Sequence, residues 1–449
     1  MKPLFLAAAL ILTTCMVLAA PPYHPYGPNL TYGEVSNGLS VLSDVTNPAA
    51  GAVALDRQEG NRYRFGILSA MGLGVEYGAV DDLFDTIDEQ ARAFQNSGLA
   101  ILDLADIPGS VNRQVDRLNG VLAEIQDKGY GKAFASMEAP VMPVVVAHRG
   151  LGGTLVVDVN ASATSKAVGL VEKVEFDAGA FDPFLPVQTI GDVTIDIPSA
   201  SFKVDNDSTL LTKGAAVIEL ALGYSRGIWS QEQGDLYAGL RLRYYRVGLT
   251  RVATRLGNVR DAQDIFQDIK DAEFNWSEDI GADLGLLWRG ERYQVGAALE
   301  NLNEPEFEYD RLDVSAYLDP AGAIARTLAA REAYVMERRL KLEASLFTED
   351  GKWLFNAALD ANAIRDALGD EYQWGSLSAA YAGSGWLIPG LRLGYRANLA
   401  GSELSYVTAG LTLFKVWTLD VAMGTETVSI DGTTLPRSLV INTGLEVTL

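Results

Sequence analysis

The stretch from Trp374 to Leu449 constrains the fold of this chain more than any other. Strand-like segments follow one another there, each alternating apolar with small or polar residues and each bounded by turn residues. Leu391, Leu393, Tyr395, Ala397 and Leu399 fall on one face, with Arg392, Gly394, Arg396 and Asn398 on the other. The pattern repeats with Val407, Ala409, Leu411 and Leu413, then with Trp417, Leu419, Val421 and Met423. The last segment sets Leu439, Ile441, Thr443, Leu445, Val447 and Leu449 against Asn442, Gly444, Glu446 and Thr448. Successive side chains of a strand point to opposite faces, so each segment has one greasy and one wet surface. A lipid-facing wall around a polar lumen requires that dyad in segments of roughly ten residues. The fold expected is an all-β, antiparallel transmembrane β-barrel.

The N-terminus sets the compartment. Lys2 precedes an apolar run, Leu4 to Leu18, and small residues close it at Ala19 and Ala20. That is the layout of a secretory signal, with cleavage expected after about Ala19. The run falls short of the roughly 20 residues that a spanning helix needs. Cys15 is the only cysteine and lies inside this segment, so the processed chain is expected to carry no thiol and no disulfide.

Composition narrows the partners. A formal charge of −22 argues against nucleic acid, whose phosphates call for clustered Lys and Arg. No apolar stretch long enough for a helical span follows the signal. The 44 glycines and 18 tyrosines suit a barrel, where glycine eases strand curvature and aromatics line the interfaces.

The expected organisation is a signal peptide over 1–19, an N-terminal segment over 20–62 that is a candidate plug, and a barrel over 63–449. Tyr63 to Tyr77 reads as a tight hairpin. A helical insert is expected over 81–128, with one stripe at Leu83, Phe84, Ile87, Ala91 and Phe94 and another at Val115, Leu118, Leu122 and Ile125. The two are separated at Ile107-Pro108-Gly109. The insert could plug the lumen, cap one mouth or pack on itself. Met142 to His148 and Thr154 to Asn160 read as strands, 161–213 is mixed, and strands resume at Ala215–Tyr224 and Leu236–Val247. Hairpins follow at Ile280–Trp288 with Tyr293–Asn301, and at Leu340–Phe347 with Trp353–Ala361. The total is roughly 14 to 16 strands, within the range of single-chain outer-membrane barrels. The short turns Arg289–Arg292 and Glu349–Lys352 are expected to face the periplasm, and the polar loops 256–276 and 302–338 the outside.

Two motifs carry a family resemblance. Leu39 to Ala50, with Asp44 and Asn47-Pro48-Ala49, resembles the opening of outer-membrane barrels similar to long-chain fatty-acid transporters. Asp283 to Trp288 and Val295 to Leu302 resemble a hairpin of the same group. With the helical insert and the overall length, the chain most resembles the conjugal transfer TraF proteins of plasmid transfer operons. It departs from many such barrels in ending at Leu449 rather than at an aromatic residue. The resemblance implies an outer-membrane protein that is a structural or partner-binding component of an envelope transfer apparatus, or alternatively a channel for hydrophobic or amphiphilic solutes. Its implied partners are outer-membrane lipid, other envelope proteins or such a solute.

An enzyme is not expected. His24 and His148 stand alone, without the spacing of a zinc site, and a serine hydrolase has no legible nucleophile. Gly72-Leu73-Gly74 lacks dinucleotide-loop spacing. No cofactor or metal is therefore expected. The candidate functional residues are lumenal charges: Glu219, Arg241, Arg243, Asp283, Glu300, Lys341, Glu343, Asp360, Arg392, Arg396, Asp420 and Glu446. A charge on the lipid face would cost about 2–4 kcal/mol at mid-depth, so alternation should turn these inward. They could pair across strands to hold a closed lumen, line a polar conduit, or grip the helical insert.

Overall fold

The computed structural model describes residues 27–56, 63–83, 86–87, 94, 99–148, 152–258, 272–383, 386 and 389–448. The expected signal segment, Cys15, His24, Phe84, Ala91 and the loop 259–271 lie outside them.

Fourteen antiparallel positions close into a barrel. Its wall strands are β1 Tyr63–Tyr77, β2 in two pieces (Tyr130–Glu138 and Val144–His148), β3 Gly153–Leu170, β4 Thr209–Gln231 and β5 Gly234–Arg255. Next come β6 Asn275–Arg289, β7 Tyr293–Glu300, β8 Arg339–Phe347, β9 Trp353–Asp360 and β10 Trp374–Tyr381. The wall ends with β11 Gly390–Asn398, β12 Ser405–Leu413, β13 Trp417–Gly424 and β14 Ser438–Thr448. β14 returns to β1, from Arg64 opposite Thr448 to Glu76 opposite Ser438, leaving no free edge. Among the described residues no helix is long and apolar enough to cross a membrane.

The alternation read from the sequence is the alternation of the wall. Leu391 and Leu393 are 52% and 64% exposed, while Arg392 between them is 4% exposed. Leu220, Leu222, Leu240, Leu242, Leu284 and Leu286 continue the same outward belt. A contiguous apolar surface of this extent is what a bilayer covers and water does not tolerate.

β4 and β5 run for 23 and 22 residues, about twice what a tilted strand needs to cross a bilayer. Their outer halves are buried on both faces, which is why the alternation fades there. Leu210 packs against Val80, Leu83, Ile87 and Ile125, whereas Leu211 packs against Tyr317, Ala325 and Leu328.

The tight turns gather at one end of the barrel and the long connections at the other. At the long-loop end, helix Ile107–Lys128 buries Val111, Val115, Leu118, Leu122 and Ile125. Ile107-Pro108-Gly109, the expected separator of the two stripes, opens this helix: Pro108 sits in the first turn and the Asp106 side chain accepts from the Gly109 N–H. The helix covers a four-stranded sheet of Leu99–Ala100, Val187–Ile190, Val193–Asp196 and Ser201–Val204. The 107–128 part of the insert, with 171–208, thus builds a domain outside the wall and does not enter the lumen. The mixed stretch 161–213 resolves into the end of β3, this sheet, and the start of β4. A second cap lies over the mouth, where Phe307, Tyr309, Tyr334 and Met336 pack on Tyr245, Val247 and Leu249.

Tyr63 to Tyr77 is a single strand and not a tight hairpin. Its pairing with β14 slips between Ile67 and Met71, so Leu68, Ser69 and Ala70 stand opposite Gly444 alone. A wide bulge absorbs the extra residues and turns Ser69 and Ala70 inward, both fully buried. A Cβ on Gly444 would lie 1.8 Å from the Ser69 carbonyl oxygen, so only glycine leaves room for the bulge. The facing strand is interrupted at the same height. Glu138 pairs with Asn160 and Val144 with Val157, so residues 139–143 stand opposite Asp158 and Val159. The regular ladder is therefore interrupted between β1 and β3, with Pro140 and Val141 exposed on its outer side. Single hydrogen bonds bridge the gap, from the Gly66 N–H to the Pro143 carbonyl at 3.1 Å, from Ser69 Oγ to the Met142 carbonyl at 2.7 Å and from the Ala139 N–H to the Val159 carbonyl at 2.8 Å.

Candidate functional site

The lumen is filled from the short-turn end by residues 27–56, which include the short helices Asn29–Tyr32 and Ala50–Asp56. The wall makes room for this plug with glycine: a Cβ on Gly239 would lie 2.0 Å from the Pro48 carbonyl oxygen, and one on Gly285 would lie 2.1 Å from Asn47 Oδ1. The Asn47-Pro48-Ala49 motif is therefore a docking point. Its Asn47 amide donates to Glu343 Oε1 at 2.8 Å and to the Ala297 carbonyl at 3.2 Å.

All twelve candidate charges lie on lumen-facing positions, because each alternates with an outward apolar residue on its strand. They divide by what they hold. Arg241 and Arg243 reach Asp283 at 2.8 and 2.6 Å, and Arg243 also reaches Glu219 at 3.4 Å. Lys341 pairs with Glu300 at 3.4 Å and Arg392 with Asp420 at 2.7 Å. Asp360 takes Arg339 at 2.9 Å, and Arg339 also holds Glu34 of the plug at 2.7 Å. Arg396 stacks its guanidinium on the Trp374 ring, 3.9 Å from the centroid.

The remaining carboxylates grip the plug. Glu343 accepts from the Ser36 N–H at 2.5 Å as well as from Asn47. Glu446 accepts from Ser40 Oγ at 2.6 Å and from the Val41 N–H at 2.9 Å. Asp420 also accepts from Thr31 Oγ1 at 2.6 Å. The segment these charges grip is the N-terminal one and not the 81–128 insert.

Sequence reasoning missed several members of this network. Arg64 of β1 pairs with Asp44 of the plug, and Gln294 donates to the Ser36 carbonyl. Ser225 Oγ accepts from the Ala52 N–H at 2.9 Å. Contrary to the expectation that no serine nucleophile motif is legible, Gly223-Tyr224-Ser225-Arg226-Gly227 has the spacing of a hydrolase nucleophile elbow; it runs within strand β4 and not at a strand-to-helix turn, so Ser225 is a plug contact and not an exposed nucleophile. Glu138 and Asp158 were also missed. Asp158 was legible in the alternation of Thr154, Val156, Asp158 and Asn160 with Leu155, Val157 and Val159; Glu138 sits at the end of a strand too rich in Ala and Ser to read.

Between plug and cap remains a cavity of about 140 Å³. Asn29, Leu42 and Val45 of the plug form its floor, and Tyr334 and Met336 its roof. Its wall carries Glu138, Asp158, Glu219, Arg241, Arg243 and Lys341. Leu42 and Val45 also belong to an apolar cluster with Val41, Leu55, Ala70, Val145 and Val156. That cluster lies directly behind the broken stretch of wall, since Ala70 is in the β1 bulge and Val145 follows the β2 interruption. The lumen thus joins a charged compartment to an apolar one. Among the described residues no cluster of His, Cys, Asp or Glu is arranged to hold a metal.

A family model described as the TraF protein of the F plasmid transfer operon (TraF_2) matches residues 44–360. Among solved structures, the chain is similar to a FadL homologue of Pseudomonas aeruginosa, at 11% identity over 96% of this chain and 98% of that one, with a TM-score of 0.43. It is likewise similar to the toluene transporter TodX of Pseudomonas putida, at 11% identity over 96% and 98% of the two chains, with a TM-score of 0.38. CdiB of Acinetobacter baumannii matches at 10% identity over 87% of this chain and 61% of its own, with a TM-score of 0.29. No curated protein matches.

Proposed function

The chain belongs to the TraF_2 family, that of the F plasmid transfer operon TraF protein, and we propose that it is an outer-membrane conduit passing a small amphiphile between lumen and bilayer. One observation carries the reading: the wall is interrupted between β1 and β3, and an apolar cluster backs the interruption from inside, beside the carboxyls of Glu138 and Asp158. An intact antiparallel wall offers no polar or apolar passage through itself, because every backbone group is paired. At this height the ladder is relieved by a bulge on one strand and a looped-out segment on the next. An apolar tail can leave through such a break without crossing the charged lumen, while a polar head stays in the adjoining cavity. In this reading the short turns face the periplasm, the long loops face outward, and the plug closes the periplasmic side.

The test is to straighten the wall. Deletion of Leu68 and Ser69 removes two of the three residues that face Gly444, leaving Ala70 as its partner and Ile67 and Met71 on the outer face. Uptake of a fluorescent long-chain amphiphile into proteoliposomes should fall to the empty-vesicle rate, while the boiled and unboiled protein still migrate differently on SDS gels. A folded deletion variant with unchanged uptake would overturn the reading.

The family match also favours a second reading, a partner-binding component of an envelope transfer system, supported by the folded domain of 99–128 and 171–208 at the long-loop end. The same deletion separates the two. A docking component would keep plasmid transfer frequency at the wild-type level with the wall straightened, and would lose it when the domain is removed.

A further inference from the structure

The amphiphile read above still lacks a head group, and the cavity chemistry points to its sign. Glu138 and Asp158 sit on the inner sill of the wall break. Glu138 is the last residue of β2 before the interruption, and Asp158 lies on β3 opposite the looped-out residues 139–143. Their carboxyls lie within hydrogen-bonding reach of each other, and Glu219 on β4 adds a third carboxyl nearby. Both side chains are buried, at 1% and 6% exposure.

Carboxyls this close need either a shared proton or a cation between them. The basic groups of the same cavity are already engaged: Arg241 on Asp283, Arg243 on Asp283 and Glu219, Lys341 on Glu300, Arg339 on Asp360 and Glu34, and Arg365 on Glu371, which leaves Glu138 and Asp158 without an ion pair among the described residues. Glu138 Oε2 and Asp158 Oδ1 have no hydrogen-bond partner among the described residues. Neither does Asn29 Oδ1, which belongs to a different element, the plug, and lines the same cavity. All three are acceptors. A buried acceptor without a donor costs about 1–3 kcal/mol, so a site that presents several is built for a ligand that donates. On the apolar side of the same space stand Leu42, Val45 and Val156.

We propose that this cavity binds the ammonium head of a cationic amphiphile, with Glu138, Asp158 and Asn29 accepting its N–H groups. The alkyl chain lies along Leu42 and Val156 toward the break in the wall. This rests on the conduit reading and adds the class of solute. An ammonium has three donors and one positive charge, which matches three acceptors and an acidic pair. A carboxylate head would meet like charge at these oxygens and would have to compete for basic groups of the cavity that are already paired.

The experiment is equilibrium binding of radiolabelled octylamine and octanoate to the full-length protein in non-ionic detergent, with empty micelles as the blank. Octylamine should bind and octanoate should not. The double variant E138Q/D158N should bind octylamine at least tenfold more weakly, with its heat-dependent gel shift retained. E138Q alone, an isosteric change, serves if the double variant fails to fold and should show a smaller loss. Equal or tighter binding of octanoate would overturn the cationic head while leaving the conduit intact. Octylamine affinity unchanged in the folded variants would overturn the assigned site, as would calcium binding without any amine binding. If wild-type protein bound neither amphiphile and the straightened wall changed no uptake, the conduit itself would fall, which is a separate outcome.

Discussion

The sharpest expectation concerns Glu343, which holds the plug where two of its segments meet. Its carboxylate takes the Ser36 N–H at 2.5 Å, the Asn47 amide at 2.8 Å and, more weakly, the Ser36 hydroxyl at 3.2 Å. Replacing it with alanine leaves two buried donors of the plug facing an apolar stump. Hydrogen bonds to a charged group contribute about 1.5–3 kcal/mol each, so counting only the two short ones gives about 3–6 kcal/mol. At 1.4 kcal/mol per decade, the displaced plug should become roughly 10²- to 10⁴-fold more populated. E343Q keeps an acceptor oxygen and loses the charge, so its effect should fall between wild type and E343A. Ion conductance in planar bilayers reads the change as channel openings absent from wild type. Limited proteolysis reads it as new cleavage within 27–56. Should E343A conduct no more than wild type and resist protease equally, the plug is not held by this carboxylate, and the division of lumenal charges into plug-gripping and wall-pairing sets would be wrong.

Three further changes probe other parts of the molecule. Gly444→Val drives a side chain into the Ser69 carbonyl, an overpacking of about 1–3 kcal/mol at the seam where the barrel closes, and should lower the temperature at which the unboiled gel band is lost. An unchanged melting band would mean that the bulge relaxes freely. Arg392→Ala strands Asp420 in the lumen and should destabilise the barrel by about 3–5 kcal/mol, seen as a lower midpoint of urea unfolding in detergent, with R392K recovering only part. Asp106→Ala removes the cap of helix Ile107–Lys128 and should cost about 1 kcal/mol, loosening hydrogen exchange in that helix while leaving the barrel strands as protected as before.

What could be read from residues alone depended on how many faces each element buries. Leu391, Arg392, Leu393 and their neighbours on β11 lie between lipid and lumen, so the pattern had a single explanation and gave the wall, the inward charges and the strand number. The outer halves of β4 and β5 are covered on both sides, so Thr209–Val217 lost its alternation and the strand ran into the mixed stretch before it. The bulge in β1 misled for a different reason. Ser69 and Ala70 carry no mark that separates a turn from residues folded inward; that distinction is set by Gly444, 375 positions after Ser69. The insert was legible as helix from its stripe, but its partner sheet is built from short strands of about 4 residues between 187 and 204, too brief for periodicity. Within the site, most charges on regular strands were found, although Arg64 and Asp158 alternate as plainly and were passed over, whereas Glu138 and the plug partners Asp44, Ser36 and Ser40 depend on contacts between distant segments.

The plug also fixes an order of events. It is made of the first described residues, and the barrel it fills is sealed by the last strand, β14, returning to β1. Synthesis therefore delivers the occupant before the strand that seals its container. Residues 27–56 are seated on β5, β6 and β8. The occupant is thus held by side chains spread over strands from β1 to β14, and its seating reports on the whole circumference.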